Sequence, residues 1–171
     1  MAGKANPVPS GIRLAAFDVD GVLTDGRFWL SDNGVESKAF HTQDGFGLKK
    51  LLAAGIDVAF ISSRSSGAVS LRMQELGVRH VLQGVRDKVK TFHALIAELQ
   101  LSPADCAYTG DDVPDLPLLR EVGFAIAVAN AVPEVKAACD YTTTAPGGFG
   151  AVREICELLL ATRGASAAGS P

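Results

Sequence analysis

The sequence has little of what would point to a membrane, a nucleic acid or a secreted protein. No apolar run approaches the roughly 20 residues that a membrane-spanning helix needs. The 16 basic residues face 19 acidic ones, the net charge is −3, and no basic tract could attract a nucleic acid. Residues 1–11 contain no apolar segment of the kind found in secretory signals. These absences predict a soluble protein with neither nucleic-acid nor membrane partners.

Cysteine and histidine are also scarce. Cys106, Cys139 and Cys156 are odd in number, widely spaced and set in apolar surroundings, so they suit packing in a reducing cytoplasm. The 3 histidines show no metal-ligand spacing. We therefore expect a cytoplasmic protein whose chemistry depends on other side chains.

What remains is typical of one globular domain. The chain has 171 residues, of which 47% are hydrophobic, enough to bury a substantial core. Residues 1–10 and 163–171 are rich in proline, glycine or other small residues, and we expect both to be flexible. The sequence therefore predicts a single domain over residues 11–162.

Within that domain, apolar runs of strand length alternate with segments of helical periodicity. This alternation predicts an α/β fold, a Rossmann-like doubly wound parallel sheet with helices on both faces. The predicted strands are Leu14–Phe17, Val58–Ile61, His80–Leu82, Cys106–Tyr108, Phe124–Val128 and Tyr141–Thr143. The predicted helices are Gly45–Ala53, Ser66–Leu76, Lys88–Leu99, Val113–Val122, Pro133–Ala138 and Gly150–Thr162.

One segment after the first strand breaks the alternation and predicts a β-hairpin over residues 27–40. Its centre, Asn33-Gly34, is a strong turn signal because both residues tolerate a positive φ. We expect the hairpin to lie over or beside the end of the first strand. Phe28 and Trp29 would be exposed on a lone chain, and such apolar patches usually mark an interface.

Two aspartates, Asp18 and Asp20, directly follow the first predicted strand. A buried strand does not end in carboxylates without a compensating charge, because burying unpaired charge is costly. The carboxyl ends of the strands are also where open α/β sheets bind their ligands. The pair therefore predicts a crevice at this edge of the sheet that holds a cation.

A second acidic cluster, Asp111, Asp112 and Asp115, follows the predicted strand 106–108. Strand ends that meet at one edge would bring Asp111 close to Asp18. Carboxylates from two strand ends are hard oxygen ligands that suit Mg²⁺. The two clusters together predict a magnesium site.

Further polar groups predict that the site also takes an anion. The Ser62 hydroxyl and the backbone amides of Ser62 and Ser63 lie where a loop leads into a helix, a geometry that cradles phosphate. Lys88, at the start of another helix, would add a positive charge for the same anion. Carboxylates, a serine loop and a lysine around one crevice indicate phosphoryl transfer.

These motifs, in this order, resemble those of the haloacid dehalogenase superfamily of phosphatases. The specific matches are Asp18–Gly26, which reads Asp-Val-Asp-Gly-Val-Leu-Thr-Asp-Gly, and the acidic cluster Gly110–Asp115. The chain leaves no room for a cap domain, since residues 25–44 hold only the hairpin and 63–81 hold one helix. It is similar, over about residues 12–162, to the capless subgroup that includes the 3-deoxy-D-manno-octulosonate 8-phosphate phosphatases.

The resemblance implies a Mg²⁺-dependent phosphatase that works through an aspartyl-phosphate. Asp18 would be the nucleophile, and Asp20 would act as acid and then as base. Ser62 and Lys88 would complete the catalytic set by holding the phosphoryl oxygens. The implied metal ligands are Asp18, the main-chain carbonyl of Asp20, and Asp111, with Asp112 supporting them from outside the ligand set.

The same resemblance implies a substrate and an assembly. The reaction would release phosphate and the free eight-carbon sugar acid from 3-deoxy-D-manno-octulosonate 8-phosphate, in lipopolysaccharide precursor synthesis. Subgroup members are tetramers whose hairpins pack together, which implies a homotetramer through residues 27–40 and a site covered by a neighbouring subunit. Arg64 and Arg72 would bind the substrate carboxylate. The implied substrate contacts are Asp20, His41, Thr42, Gln43, Asp44, Gly45, Lys49, Arg64, Arg72 and Lys88.

The chain departs from the pattern of the subgroup in the phosphate loop and in one basic residue. The loop reads Ser62-Ser63-Arg64 where Thr-Gly-Arg is usual, so the hydroxyl is kept and the backbone freedom of glycine is lost. Lys49 stands where arginine is frequent, which keeps the charge without the planar fork.

Three other functions are open at this point. A phosphatase for a nine-carbon sialic-type sugar-acid 9-phosphate belongs to the same subgroup. A phospho-receiver signalling module also carries acidic strand ends, but its pair is adjacent, unlike Asp18 and Asp20, and residues 129–130 hold no lysine of the kind it needs. A catalytically silent partner domain would have no use for Lys88 and Asp111 alongside that pair.

Overall fold

The alternating apolar runs form one parallel sheet beside a small hairpin. The computed structural model describes residues 8–167, with the backbone alone for 163–167. The strands are β1 (Leu14–Phe17), β2 (Trp29–Leu30), β3 (Glu36–Ser37), β4 (Asp57–Ile61), β5 (His80–Leu82), β6 (Cys106–Gly110), β7 (Phe124–Ala127) and β8 (Tyr141–Thr142). The central sheet is six-stranded and parallel, in the order β5-β4-β1-β6-β7-β8.

Helices connect these strands. They are α1 (Thr42–Ala53), α2 (Gly67–Leu76), α3 (Lys88–Glu98), α4 (Leu116–Leu119), α5 (Pro133–Ala138) and α6 (Ala151–Ala167). α1 packs against α2 and α6, whereas α4 packs against α3 and α5. This grouping is expected of a sheet covered on both faces, and the predicted fold class is confirmed. Among the described helices, none has both the length and the apolar character that crossing a membrane requires.

Strand β1 occupies the centre of the sheet and decides where the site forms. Every residue of β1 is buried, and the strand pairs with β4 on one side and β6 on the other. The order of the strands reverses here, since the chain runs outward from β1 to β5 and then returns to β6. A reversal of this kind opens a crevice beyond the carboxyl ends of the strands.

The predicted hairpin is present between β1 and α1. β2 and β3 pair antiparallel, with Trp29 opposite Ser37. The connecting turn is closed by the Ser31 amide, which donates to the Val35 carbonyl at 3.0 Å. Gly34 has a φ of +80°, which explains why the turn requires a residue that tolerates the left-handed region.

Most element boundaries agree with the sequence prediction, and one helix does not. In place of a continuous helix over 113–122, a 3-10 turn at Val113–Asp115 precedes the four-residue α4. Pro114 and Pro117 lack the amide hydrogens that a longer regular helix would use, and the Asp115 carboxylate is engaged elsewhere. α1 begins at Thr42, three residues earlier than predicted, and α6 ends at Ala167, beyond the predicted Thr162.

The division into a domain at 11–162 with flexible ends stays a prediction. Residues 1–7 and 168–171 lie outside the described part of the chain.

Candidate active site

A crevice of about 300 Å³ lies where β1, β4 and β6 end. These neighbouring strands each deliver a polar residue to it, namely Asp18, Ser62 and Asp111. The crevice therefore gathers the residues that the sequence assigned to phosphoryl transfer and to metal binding. Its lining residues are Asp18, Asp20, Gly26, Ser62, Ser63, Arg64, Lys88, Asp111, Asp112, Pro114 and Asp115.

Asp18 lies at the bottom of the crevice, held by the main chain and by one cation. Its amide donates to the Thr109 carbonyl of β6 at 2.9 Å, which fixes the backbone. Its Oδ1 lies 2.9 Å from Lys88 Nζ. Burial and the nearby Asp115 raise the pKa of Asp18 to about 6, although Lys88 opposes the shift. The raised pKa indicates that Lys88 alone does not compensate the negative charge around Asp18.

Asp111 faces Asp18 across the crevice. Carboxylate oxygens of Asp18, Asp111 and Asp115 all lie within 4.8 Å of one another. Burial and repulsion by Asp18 raise the pKa of Asp111 to about 7. Gly21, at a φ of +89°, makes this approach possible, because a Cβ there would overlap the Asp111 carboxylate.

Lys88 is a buried cation shared between two carboxylates. Its Nζ lies 2.9 Å from Asp18 and 2.7 Å from Asp115, and it donates to the Tyr108 hydroxyl at 3.3 Å. Burial alone would lower its pKa, but Asp18 and Asp115 raise it. Asp87 caps α3 by accepting from the Lys90 amide at 2.9 Å, which sets the direction in which Lys88 leaves the helix.

Asp115 has a role that the sequence did not reveal. Its Oδ1 accepts from Lys88 and from the Tyr108 hydroxyl, both at 2.7 Å, and its Oδ2 accepts from the Asp111 amide at 3.0 Å. These donors occupy both oxygens, so Asp115 positions Lys88 and the Asp111 backbone instead of offering a free metal ligand. The available signal was the spacing from Asp112 to Asp115, which forms a capping box with a proline inside it.

The residues fit a divalent cation. Three carboxylates share one ammonium group, and the raised pKa values of Asp18 and Asp111 report negative charge that protein groups leave uncompensated. Asp18 and Asp111 offer hard oxygen atoms from different strands, the donor type that Mg²⁺ prefers. Asp112 also lines the crevice, although its Oδ1 accepts from the Val113 amide at 2.8 Å.

The serine loop after β4 differs in one respect from the expected phosphate cradle. The Ser62 amide donates to the Leu82 carbonyl of β5 at 2.9 Å, so it is committed to the sheet and is not a phosphate donor. The buried Ser62 hydroxyl accepts from the Arg64 amide at 3.3 Å, which leaves its own hydrogen for a ligand. Gln100 is the only non-glycine residue with a positive φ in the described chain, so Ser63 causes no left-handed strain.

Asp20 also lines the crevice and contacts residues of the hairpin segment. Lys38, just after β3, forms an ion pair with Asp20 Oδ1. Arg64 Nε lies 3.7 Å from Asp20 Oδ2, and Arg64 also binds Glu36 of β3 at 2.6 Å. Sequence analysis gave neither Lys38 nor Glu36 a role in the site, because a charged residue on a hairpin is ordinarily solvated.

Several predicted substrate contacts lie in a different place. Within the described chain, Thr42, Gly45, Lys49 and Arg72 line a separate cavity of about 270 Å³ between α1 and α2. Arg72 there is paired with Glu75 at 2.8 Å. Arg64 and Lys88 line the acidic crevice instead. The substrate contacts implied by the resemblance therefore do not all lie in one cavity of the single chain.

The beginning of α1 accounts for the remaining predicted contacts. Asp44 is fully buried and accepts from the Arg153 amide at 2.8 Å, which ties α1 to α6. Burial raises the pKa of the Asp44 carboxyl. His41 is the N-cap of α1 and Gln43 is exposed on its first turn. These side chains are outside the acidic crevice.

Comparison with known proteins agrees with this geometry. The family of haloacid dehalogenase-like hydrolases matches residues 80–152, which include Lys88 and the second acidic cluster. The 3-deoxy-D-manno-octulosonate 8-phosphate phosphatase of Escherichia coli K12 is 44% identical over 153 residues, which is 90% of this chain and 81% of that protein.

Solved structures extend the similarity to the whole fold. The Yersinia pestis 3-deoxy-D-manno-octulosonate 8-phosphate phosphatase is 42% identical, with a TM-score of 0.89 covering 91% of this chain and 84% of that one. The enzyme of the same name from Moraxella catarrhalis, in complex with a magnesium ion, a phosphate ion and KDO, is 46% identical, with a TM-score of 0.89 covering 93% and 91%. The resemblance inferred from the motifs is thereby confirmed, and the chain belongs to the 3-deoxy-D-manno-octulosonate 8-phosphate phosphatases, a family of haloacid dehalogenase-like hydrolases.

Proposed function

We propose that this chain hydrolyses 3-deoxy-D-manno-octulosonate 8-phosphate to the free sugar acid and phosphate, a step in lipopolysaccharide precursor synthesis. Membership of the family makes it a phosphoric monoester hydrolase. The observation that carries the proposal is the buried Asp18, paired with Lys88 at 2.9 Å and facing Asp111. A similar structure, that of the Moraxella catarrhalis enzyme, is in complex with a magnesium ion, a phosphate ion and KDO, which supports the proposal.

In the first half of the proposed reaction, an Asp18 oxygen attacks phosphorus and the bond from phosphorus to the sugar oxygen breaks. Asp20 gives a proton to that oxygen, so the sugar leaves as an alcohol. Lys88 and the Ser62 hydroxyl hold the phosphoryl oxygens while negative charge is redistributed over them. The product of this half is an aspartyl-phosphate on Asp18.

In the second half, Asp20 takes a proton from a water molecule that attacks the same phosphorus. The bond from phosphorus to Asp18 breaks, inorganic phosphate is released, and both aspartates return to their starting states. Asp115 keeps Lys88 in place throughout, since its two oxygens bind Lys88, Tyr108 and the Asp111 amide.

We propose that Asp18, Asp111 and the main-chain carbonyl of Asp20 hold Mg²⁺. When bound, the ion offsets the negative charge that the carboxylates and the phosphoryl group bring together. The raised pKa values of Asp18 and Asp111 support this assignment, because they indicate a deficit of positive charge. Asp112 would support the ligands from outside.

We also propose a homotetramer formed through the hairpins at residues 27–40. Supporting this, Trp29 and Leu30 are 62% and 65% exposed in the single chain, and Phe28 and Val35 are exposed as well. The separate cavity of α1 and α2 is consistent with substrate groups that serve a neighbouring subunit. Of the predicted contacts, Thr42, Gly45, Lys49 and Arg72 line that cavity, and His41, Gln43 and Asp44 lie at the beginning of α1, while Arg64 would bind substrate from within the acidic crevice.

A cytoplasmic location is part of the proposal. Cys106, Cys139 and Cys156 are all free thiols, and Cys106 and Cys156 are buried, as in packing residues of a reducing compartment. Fractionation of the cells that make the protein, with activity followed in each fraction, tests this directly.

The decisive experiment measures phosphate release from a panel of sugar-acid phosphates with and without Mg²⁺. We expect Mg²⁺-dependent turnover of the eight-carbon 8-phosphate, abolished by Asp18→Asn. A higher kcat/KM on the nine-carbon 9-phosphate would transfer the proposal to that substrate. Stable phosphorylation without turnover would indicate a receiver module, and no turnover on any substrate would indicate a silent domain.

A further inference from the structure

The contact between Lys38 and Asp20 joins the hairpin to the acid–base side chain of the same subunit. Lys38 follows β3 directly, and its side chain is 0% exposed, which is unusual for a lysine on a two-stranded hairpin. Asp20 lines the acidic crevice, with its side chain 21% exposed. Lys38 is not among the residues that line the crevice, so it contacts Asp20 without occupying the space open to a ligand.

Lys38 is one member of a closed ring of alternating charges. Its Nζ lies 3.5 Å from Glu36 Oε1, and Glu36 Oε2 lies 2.6 Å from Arg64 Nη2. Arg64 Nε in turn lies 3.7 Å from the second oxygen of Asp20. The Phe28 ring packs beneath the two cations, with Arg64 Cζ at 4.3 Å and Lys38 Nζ at 5.8 Å from its centre.

The burial of Lys38 determines what this ring can do. Exposed ion pairs contribute little and move freely, but a lysine ammonium withdrawn from solvent must keep its partners, because leaving it unpaired is costly. Its partners here are Glu36 and Asp20. Lys38 thus limits the orientations of the Asp20 carboxyl, and Glu36 limits those of Lys38.

We propose that Lys38 is a positioning residue that holds the Asp20 carboxyl in the orientation needed for proton transfer in both halves of the reaction. The inference rests on the proposed function, since it assigns the effect of Lys38 to the acid–base work of Asp20. The hairpin would then have a catalytic role within its own subunit, namely positioning Asp20 through Lys38, in addition to any contact between subunits.

Two substrates with different leaving groups distinguish a positioning role of Lys38 from a merely structural one. A sugar oxygen leaves poorly unless it is protonated, so the first half of the reaction needs a correctly placed Asp20. The p-nitrophenolate group leaves without a proton, so attack by Asp18 on p-nitrophenyl phosphate does not need Asp20. Hydrolysis of the resulting aspartyl-phosphate needs Asp20 with either substrate.

The test compares Lys38→Met with the unsubstituted protein on the sugar 8-phosphate and on p-nitrophenyl phosphate, in Mg²⁺. We expect kcat on the 8-phosphate to fall by about 10- to 100-fold with KM within about threefold, as for loss of part of an acid–base contribution. With p-nitrophenyl phosphate, rapid mixing should show a burst approaching one p-nitrophenolate per subunit, at a rate within about twofold of the unsubstituted protein. Slow steady-state turnover should follow.

Two further variants serve as controls. Lys38→Arg keeps the cation and should retain more 8-phosphate activity than Lys38→Met. Lys50→Met removes a lysine that pairs with Glu157 at 2.7 Å on the surface of α1 and α6, and should change neither assay. The proposal is overturned if Lys38→Met leaves the 8-phosphate kcat unchanged, or if it slows the burst as much as it slows sugar release. If the unsubstituted protein turns over only the aryl phosphate, the proposed function fails, and the burst still tests Lys38.

Discussion

The chemistry of this chain depends on a small cluster of side chains in which negative charges outnumber positive ones. Asp18, Asp111 and Asp115 lie around the single ammonium group of Lys88. Asp115 uses its oxygens on Lys88, Tyr108 and a main-chain amide, and this leaves Asp18 and Asp111 as the pair open to a ligand. The function of each carboxylate thus depends on whether protein donors already occupy its oxygens.

We expect Asp115→Asn to lower kcat by about 10- to 100-fold, the usual cost of losing a partner that orients groups bound to metal or substrate. An amide cannot serve as anionic partner to Lys88 while still accepting from Tyr108 and from the Asp111 amide. Phosphate-release kinetics with Mg²⁺ measure the effect. Tyr108→Phe removes one donor and keeps the carboxylate, so its effect should be smaller. Equal activity in the Asn variant would contradict the assigned role.

Asp18 and Asp111 should make the metal-free protein less stable as pH rises from about 5 to 7. Burial and mutual repulsion raise the pKa of Asp18 to about 6 and of Asp111 to about 7, so the folded chain binds these protons more tightly than the unfolded chain, where the ordinary value is 3.8. The pair costs no stability below about pH 4 and an increasing amount between about pH 4 and 7. Because Mg²⁺ competes with these protons, it should raise Tm more at about pH 8 than at about pH 5.

Thermal unfolding at both pH values, with Mg²⁺ and with a chelator, measures that difference. Asp111→Asn removes a ligand and a titrating group, so it should reduce both the Mg²⁺ effect and the pH trend. A rise in Tm that is the same at both pH values would mean that Mg²⁺ does not bind where these carboxyls titrate.

Sequence reasoning reached the residues that lie directly at strand ends. Asp18, Ser62 and Asp111 each follow a strand that is recognisable from an apolar run, so their meeting was predictable. Lys38 was not, because its burial depends on how the hairpin folds back, and no local pattern encodes that distance. Asp115 was visible as part of a motif, but its hydrogen bonds to Tyr108 and Lys88 depend on tertiary structure.

At the scale of elements, the loop before α6 acts as a support behind the catalytic loop. The Asn130 amide bridges them, since it donates to the Gly21 carbonyl at 3.1 Å and accepts from the Gly147 amide at 2.6 Å. Glu154 of α6 fixes the same loop by accepting from the Thr144 and Ala145 amides at 2.9 and 3.0 Å. These contacts set the path of the chain directly after Asp18.

Gly147→Ala should therefore damage a site that it does not line. A Cβ at Gly147 would overlap the Gly21 carbonyl oxygen, which is backbone and cannot rotate away. We expect a loss of about 1–3 kcal/mol in the free energy of unfolding, as in overpacked interiors, together with a lower kcat. Denaturant unfolding and phosphate release measure the two effects.

Gly67→Ala is the matched control for this substitution. Gly67 begins α2, and a Cβ there would meet nothing within 4 Å. Its stability should be unchanged or slightly higher, because alanine favours helix more than glycine does. If both alanine variants behaved alike, contact with Gly21 would not explain the requirement at position 147.

Sequence patterns predicted elements well where burial and periodicity agreed. β1, β5 and α5 have the predicted bounds, and the turn at Asn33-Gly34 forms as expected. The helix predicted over 113–122 was wrong in its extent, because Pro114 and Pro117 interrupt it and the Asp115 side chain is taken up by the site; only the four-residue α4 forms. The spacing of hydrophobic residues does not show that a polar side chain such as Asp115 makes its hydrogen bonds within the site.

At the scale of the whole molecule, the proposed tetramer would use two features of the single chain. The hairpin exposes apolar side chains, and the cavity between α1 and α2 carries the predicted contacts Lys49 and Arg72 without a catalytic group. The exposed hairpin was predicted from the sequence, but the cavity was not, since it depends on how α1 and α2 pack against each other. Assembly into the proposed tetramer would account for both.

We expect Trp29→Glu to dissociate that tetramer, because it places a charge in an apolar contact repeated in every subunit. Light scattering coupled to gel filtration measures the mass. Ala94→Glu is the matched control, since Ala94 is exposed on α3 and should tolerate the same new charge. A monomeric unsubstituted protein, or an unchanged mass in the Trp29 variant, would contradict assembly through the hairpins.

The central position of β1 has a consequence for how the two aspartates are held. Displacing Asp18 would break pairing to both β4 and β6, so such an opening costs nearly as much as unfolding the sheet. The Asp20 carboxyl is held instead by Lys38, which follows a hairpin of two-residue strands outside that sheet. The nucleophile and the acid–base group are therefore anchored differently: Asp18 is held through the backbone pairing of β1 on both sides, whereas the Asp20 carboxyl is held through side-chain contacts with Lys38 and Arg64.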